Sequence, residues 1–189
     1  MNAYKLFAVG VSIAVASASA HASELNAPKE ITFAGARYQL AFSHSSAKES
    51  LWEYTTDGES FKDGKWTRLV TIKQLKVSNM PMSKWVDAIE QMLDQTTPRP
   101  LSSVEQTANE AYSRILYLPS GRFPTFESNV WHTRHIGTCG GIVNLQFARQ
   151  YKAGPTTATS DAELLKTIER DTETDMAALR AVDWQPTCS

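Results

Sequence analysis

The sequence predicts an α+β domain: a single antiparallel sheet of about seven strands with two amphipathic helices packed on it. Three observations support this prediction. Apolar and polar side chains alternate in several short segments, which is the period of a half-buried strand. Two longer segments place apolar residues three or four positions apart, which is the period of a helix face. The predicted strands follow one another through short turns, and such neighbours pair antiparallel.

The first half of the chain supplies four of the strands and one helix. Residues 31–35 are predicted as a short strand, residues 38–42 alternate, and residues 51–55 set Trp52 and Tyr54 on one face. Residues 66–75 are rich in β-branched residues and apolar on both faces at their centre, which predicts an interior strand. Residues 82–93 then carry a helical apolar stripe that ends before a proline. Asp-Gly turns flank three acidic residues, which we expect to be solvated loop charges: Glu53, Asp57 and Glu59.

The second half supplies three further strands and the second helix. No element is assigned to the polar stretch 96–109, and strands are predicted at 111–118, 126–136 and 142–151. Ser160 and Glu163 form a capping box at the start of the last helix. The apolar face of that helix comprises Leu164, Leu165, Ile168, Met176 and Leu179.

The N-terminal segment 1–22 has the pattern of a secretory signal peptide. Lys5 precedes an uncharged apolar run, and small residues permit cleavage after Ala20 or Ala22. The run is shorter than the roughly 20 residues that span a bilayer, so we expect no membrane anchor after cleavage. The sequence therefore predicts a periplasmic or secreted protein whose single α+β domain comprises residues 23–189.

Two cysteines, Cys139 and Cys188, remain after cleavage. An oxidising compartment favours a disulfide between them, closing a loop of about 50 residues and contributing about 4 kcal/mol in the chain-entropy account. The alternative is that Cys139 is a reactive thiol, because it follows His135 in a glycine-rich turn.

The predicted hairpin of residues 126–151 contains the main candidate binding surface. If a five-residue loop joins its strands, one face carries Arg134, His132, Asn144 and Gln146, and the other is core with Trp131 beside Phe147. The polar face is either solvated or a recognition surface for a polar or anionic group, with Arg134 as the bidentate donor. A second candidate surface is the loop 119–125, around Arg122 and Phe123.

The motif His132-x2-His135-x3-Cys139 also raises the possibility of a zinc site, with Cys188 as a further ligand. Positions three apart on an extended strand point to opposite faces, which argues against chelation by the two histidines. A thiol- or metal-dependent hydrolase built on these residues is nevertheless the alternative function. The leading hypothesis is a non-enzymatic binding protein without a cofactor, whose partner is a protein or a small polar ligand.

Other functions find little support in the sequence. The formal net charge is −1, so no basic excess favours nucleic acid as a partner. There is no G-x-S-x-G nucleophile motif, no phosphate-binding glycine loop and no dinucleotide fingerprint.

One segment resembles a known group of proteins. Residues 52–60 (WEYTTDGES), followed by residues 66–71 (WTRLVT), are similar to a signature of small exported bacterial proteins of unknown function. The order of hairpin, helix, strands and helix is similar to the PsbP/Mog1-type α+β fold. Neither resemblance implies a reaction or a catalytic residue.

Overall fold

The computed structural model describes residues 23–59, 66–77, 80–121, 123–152 and 161–188. The segment 1–22, the candidate residue Arg122 and the capping residue Ser160 lie outside these ranges. The elements in chain order are β1 (Glu30–Phe33), β2 (Ala36–Ser45), β3 (Glu49–Thr55), β4 (Arg68–Leu75), α1 (Met82–Asp94), β5 (Leu101–Gln106), β6 (Glu110–Tyr117), β7 (Thr125–Ile136), β8 (Gly141–Lys152) and α2 (Asp161–Ala181).

The eight strands form one sheet in the order β1-β2-β3-β4-β8-β7-β6-β5, and every neighbouring pair is antiparallel. The predicted fold class is therefore confirmed, with eight strands instead of about seven. The additional strand is β5, within the polar stretch to which no element was assigned. It lies at the edge of the sheet, where only Val104 is half-buried, so its sequence has no apolar alternation.

The two helices pack on opposite faces of the sheet, named here the α2 face and the α1 face. Met176 and Leu179 of α2 join a core cluster with Val130, Leu145 and Phe147. The predicted apolar stripe is only partly buried, because Leu165 remains exposed. No helix in the described part of the chain is long and apolar enough to cross a membrane.

The α1 face is covered by α1 at one end. Trp85 of α1 lies over Trp131 of β7, with ring centroids 6.4 Å apart, and its neighbours bury Ala111 and Ile142. At the other end, Trp66 packs on Leu69 of β4 and Ala148 of β8.

The register of the β7–β8 hairpin differs from the predicted one. The connection has four residues, because Ile136 pairs with Gly141, whereas a five-residue loop was predicted. A slip of one residue exchanges the two faces of one strand relative to the other. The observed pairs are Arg134 with Val143, His132 with Leu145, Thr133 with Asn144 and Trp131 with Gln146.

Two glycines explain this register. A 3-10 turn at Gly137–Cys139 ends at Gly140, whose φ of 64° is in the left-handed region. A Cβ atom at Gly141 would collide with the carbonyl oxygen of Leu75 on β4. Glycine therefore allows β8 to begin against β4 one residue earlier than the sequence pattern suggested.

The C-terminal tail is fastened to the α2 face. Cys139 and Cys188 are at disulfide-bonding distance, with their Cα atoms 5.2 Å apart. The Asn26 backbone N–H donates to the Thr187 carbonyl oxygen at 2.9 Å, so the tail runs beside the N-terminal segment. The fully buried amide of Gln74 donates to the Ser23 and Cys139 carbonyl oxygens at 2.8 Å and 2.9 Å.

Candidate functional site

The structure separates the four residues of the predicted binding surface. Arg134 and His132 lie on the α2 face, and Asn144 and Gln146 lie on the α1 face, because the register differs by one residue. The prediction that these residues form one face is therefore wrong. Phe123 is exposed and lies in a tight loop bridged to Ser120.

The residues on the α2 face are engaged in packing. His132 is buried, its Nε2 lies 3.0 Å from Glu110 Oε2, and its ring stacks on Tyr112 at 4.3 Å between centroids. Burial lowers the pKa of His132, although the hydrogen bond to Glu110 opposes this. Arg134 Nη1 donates to the Trp184 carbonyl oxygen at 2.8 Å, and so holds the tail.

The alternative zinc and thiol sites lack the required geometry. His132 and His135 point to opposite faces of β7, as their spacing predicted. The Cys139 side chain is fully buried and bonded to Cys188, so it offers no thiolate in this state. Within the described ranges, no three His, Cys, Asp or Glu side chains are grouped to hold a metal ion.

The α1 face instead carries a chain of polar side chains along the hairpin. Gln146 Nε2 donates to Asn129 Oδ1 at 2.5 Å, and Asn129 Nδ2 donates to Glu127 Oε1 at 3.1 Å. Farther along, Asn144 Nδ2 donates to Thr133 Oγ1 at 2.7 Å. Asn129, Thr133 and Asn144 are buried, whereas Glu127 and Gln146 are half-buried and reach the surface.

A second polar row crosses this chain at right angles to the strands. Glu53 of β3 pairs with Thr71 of β4, Thr71 with Gln146 of β8, and Gln146 with Trp131 of β7. Directly opposed residues in antiparallel strands share a face, so these side chains line up across the middle of the sheet. We name the combined surface the polar band, which consists of Glu53, Thr71, Glu127, Asn129, Trp131 and Gln146.

Hydrogen-bonding atoms of this row are buried without partners. Glu53 Oε2 and Trp131 Nε1 find none among the described residues, and neither does the hydroxyl of Ser113, which pairs with Trp131 across the ladder. An unsatisfied buried polar group costs about 1–3 kcal/mol. The row therefore retains an acceptor and a donor that no described residue uses.

The two carboxyl groups of the polar band have raised pKa values. Burial, and secondarily the charge on Glu127, raises the pKa of Glu53 to about 7. Burial also raises the pKa of Glu127, against the hydrogen bonds from Asn129 and Gln150. Neither makes an ion pair with another described residue, and Lys73 on the same face is paired with Glu49 at 2.8 Å. The prediction that Glu53 is a solvated loop charge is therefore wrong, because Glu53 lies within β3.

The sequence contained a partial signal for this surface. Glu127, Asn129 and Thr133 lie at alternate positions of β7, and Thr71 interrupts the apolar centre of the interior strand β4. The assumed register assigned the alternate residues of β7 to the core, and so hid the polar members among them. Glu53 was missed because the neighbouring Asp-Gly turn suggested a loop.

The fold and the site together define an α+β protein with a single antiparallel sheet, a tail whose Cys188 lies at disulfide-bonding distance from Cys139, and a polar band on one sheet face. A protein-family model matches residues 25–184, and the chain belongs to that family, an uncharacterised bacterial one. No curated protein and no solved structure matches the chain.

Proposed function

We propose that this is an exported, non-enzymatic binding protein whose polar band recognises an uncharged, hydroxyl-rich ligand, an oligosaccharide in chemical class. The leader pattern at 1–22 and the cysteine pair at bonding distance support export to the periplasm or the medium. The partly exposed polar side chains of one sheet face support binding.

The observation that carries the proposal is the row of mostly half-buried side chains on one sheet face, in which Glu53 Oε2 and Trp131 Nε1 have no hydrogen-bond partner among the described residues. Glu53 Oε2 needs a hydrogen-bond donor and Trp131 Nε1 needs an acceptor, and a ligand hydroxyl group can act as either. The two residues lie three strands apart, roughly 14 Å along the row. A ligand that reaches both is extended, which favours an oligosaccharide over a single sugar ring. The half-buried indole of Trp131 also offers an apolar ring edge to a sugar.

The charges of the band disfavour an anionic ligand. Glu53 and Glu127 repel anions when ionised, and the nearby Lys73 is already paired with Glu49. The anionic recognition predicted for Arg134 would require that side chain on this face, whereas it lies on the α2 face and bonds to the tail. An uncharged ligand satisfies the carboxyl groups without this repulsion.

Binding is tested by calorimetric titration of the mature, unreduced protein with maltotriose, cellotriose and chitotriose. We expect at least one trisaccharide to bind, and Glu127→Gln and Trp131→Phe each to weaken it about tenfold, because a good hydrogen bond to a charged or buried group is worth about 1.5 kcal/mol. Trp131→Phe keeps an aromatic ring and removes the N–H donor, together with part of the indole that packs on Trp85. The matched control is Glu173→Gln, an exposed glutamate of α2. Absence of binding by all three sugars, or equal losses in the control, contradicts the proposal.

Export and the disulfide are tested on the protein recovered from a bacterial host. We expect the periplasmic fraction to contain a species that begins at His21 or Ser23 and has no thiol titratable before reduction. Two titratable thiols in the exported protein would instead support the thiol hydrolase alternative based on Cys139.

A further inference from the structure

A cleft lies on the α2 face between the two ends of the described chain. It consists of two adjoining cavities, of about 230 Å³ and about 370 Å³, which share Pro28, Ile72 and Trp184 in their walls. Residues from the segment 25–33 form one wall and the tail residues 182–187 form the other. We name this region the Trp184 cleft. It shares no residue with the polar band.

Apolar side chains form most of the floor and walls. Ile72 and Leu145 rise from the sheet, and Phe33 and Val182 approach from β1 and the tail. An apolar cavity of roughly 150 Å³ is enough to hold a benzene ring. The smaller cavity therefore has room for a phenyl group with a short aliphatic arm.

Both walls are held before any ligand arrives. The Tyr54 hydroxyl donates to the Pro28 carbonyl oxygen at 2.9 Å, and the Leu25 N–H donates to Gln74 Oε1 at 3.1 Å. On the other wall, Arg134 bonds to the Trp184 carbonyl oxygen and Cys188 bonds to Cys139. Such preformed walls reduce the ordering cost of binding.

The charged side chains that line the two cavities are acidic. Glu30 lines the smaller cavity and Asp183 the larger one, and no lysine, arginine or histidine lines either. Glu30 has only a solvent-exposed partner, Arg37, at 3.7 Å. Asp183 makes no ion pair with any residue that the structure describes. Exposed ion pairs of this kind are weak, so an ammonium group at the mouth can compete with Arg37 for Glu30 and can approach Asp183, which has no cationic partner among the described residues.

We propose that the Trp184 cleft binds small hydrophobic amines, molecules with an aromatic or branched aliphatic body and one ammonium group. The body occupies the apolar cavity against Ile72 and Leu145, and the ammonium group lies at the mouth near Glu30 or Asp183. The Trp184 indole, half-buried between the cavities, offers its ring to the cation as well.

The experiment uses three probes of similar shape and different charge: 2-phenylethylamine, 2-phenylethanol and 3-phenylpropionate. Each is titrated into the mature, disulfide-bonded protein while the indole N–H resonances are followed, with Trp184 assigned from Trp184→Phe. We expect the amine to shift Trp184 and to bind at least tenfold more tightly than the carboxylate, with the neutral alcohol between them. Equal affinities for amine and carboxylate, or no shift of Trp184 at 10 mM amine, overturn the proposal.

Variants of the cleft distinguish the contribution of its acidic side chains to amine affinity from the contribution of the cavity shape. The double variant Glu30→Gln/Asp183→Asn changes exposed side chains only, and we expect it to bind the amine no better than the alcohol. Glu24→Gln is the matched control, an exposed acid outside both cavities, and it leaves the affinity unchanged. Val182→Phe fills the smaller cavity and abolishes amine binding while the amide spectrum stays folded. Amine affinity that is unchanged in the double variant refutes the charge assignment, and with it the proposal.

Discussion

The two faces of the sheet differ in whether their most buried carboxyl groups have a cationic partner. On the α2 face, Arg149 bonds to both carboxylate oxygens of the buried Asp175 at 2.6 Å. Arg114 and Arg180 likewise bond to Glu105. On the α1 face, Glu53 and Glu127 have no cationic partner in the described part of the chain.

This difference separates residues that hold the fold from residues available to a ligand. A buried charge whose partner is in place offsets its desolvation cost, and removing that partner is strongly destabilising. A buried carboxyl group without a cation instead has a raised pKa. Arg134 and His132 were predicted as recognition residues because they are polar and lie mid-strand. Their partners on the α2 face, the Trp184 carbonyl and Glu110, show that they fasten the tail and strand β6.

The largest expected effect is on the α2 face, where the disulfide fastens the tail. Replacement of both Cys139 and Cys188 by serine lowers the free energy of unfolding by about 4 kcal/mol, because the unfolded chain loses a constraint on a long loop. Urea unfolding monitored by circular dichroism measures the change. A loss below about 1 kcal/mol contradicts the view that this bond stabilises the α2 face.

Removal of the buried ion pair is expected to cost slightly less. Asp175→Ala leaves the Arg149 guanidinium half-buried without its carboxylate, and we expect a loss of about 3 kcal/mol. The control, Glu173→Ala, removes an exposed partner of Arg114 and costs at most about 1 kcal/mol. Similar losses in both variants would erase the distinction between buried and exposed pairs on this face.

On the α1 face, Glu53→Gln tests whether the negative charge of Glu53 lowers the free energy of unfolding. The pKa of Glu53 is about 7 in the folded protein and near 4.5 in the unfolded chain, so the folded state binds more protons between these values. The contribution of Glu53 to stability is therefore full below pH 4.5 and is lost as the pH rises to 7. At pH 8, we expect the free energy of unfolding of Glu53→Gln to exceed that of the wild type by about 2 kcal/mol. We also expect its free energy of unfolding to depend less on pH. A variant less stable than wild type at pH 8 contradicts the unpaired state of this carboxyl.

The smallest effect is expected at His132, with the opposite dependence on pH. Burial lowers its pKa in the folded protein, so the unfolded chain binds more protons below pH 6.5 and stability falls as the pH decreases. We expect His132→Gln to remove this acid-side loss while costing about 1 kcal/mol at pH 8 for the stacking on Tyr112. Urea midpoints at pH 5.5 and pH 8 measure both effects. If the wild type instead gains stability relative to His132→Gln when the pH falls from 8 to 5.5, the pKa of His132 is not lowered in the folded protein.

The strands and helices with apolar periodicity were predictable to within a few residues. Helix α1 and strands β4, β7 and β8 lie where the sequence predicted them, because each buries a regular set of side chains. Strand β5 was not predictable from this pattern, since an exposed edge strand needs only backbone hydrogen bonds to β6. The likeness to the PsbP/Mog1-type fold stays a prediction.

The candidate site was less predictable than the fold. Asn144 and Gln146 were predicted from the sequence as binding residues, and they lie on the α1 face. Four residues of the polar band on the same face were not predicted as binding residues: Glu53, Glu127, Asn129 and Trp131. The neighbours of Gln146 depend on the register of the β7–β8 hairpin. A four-residue loop and a five-residue loop give registers that differ by one residue. Both loop lengths fit the glycine-rich turn, and only the close approach of Gly141 to β4 distinguishes them.

The sequence by itself determined the fold class and contained the leader pattern and the two cysteines predicted to pair, because local periodicity and residue count express these features directly. The tertiary structure alone decided which side chains share a face, which of the described carboxyl groups lack a cationic partner, and where residues 25–33 and 182–187 enclose a cleft. Those features depend on contacts between residues far apart in the chain, and a one-residue change in strand register redistributes all of them.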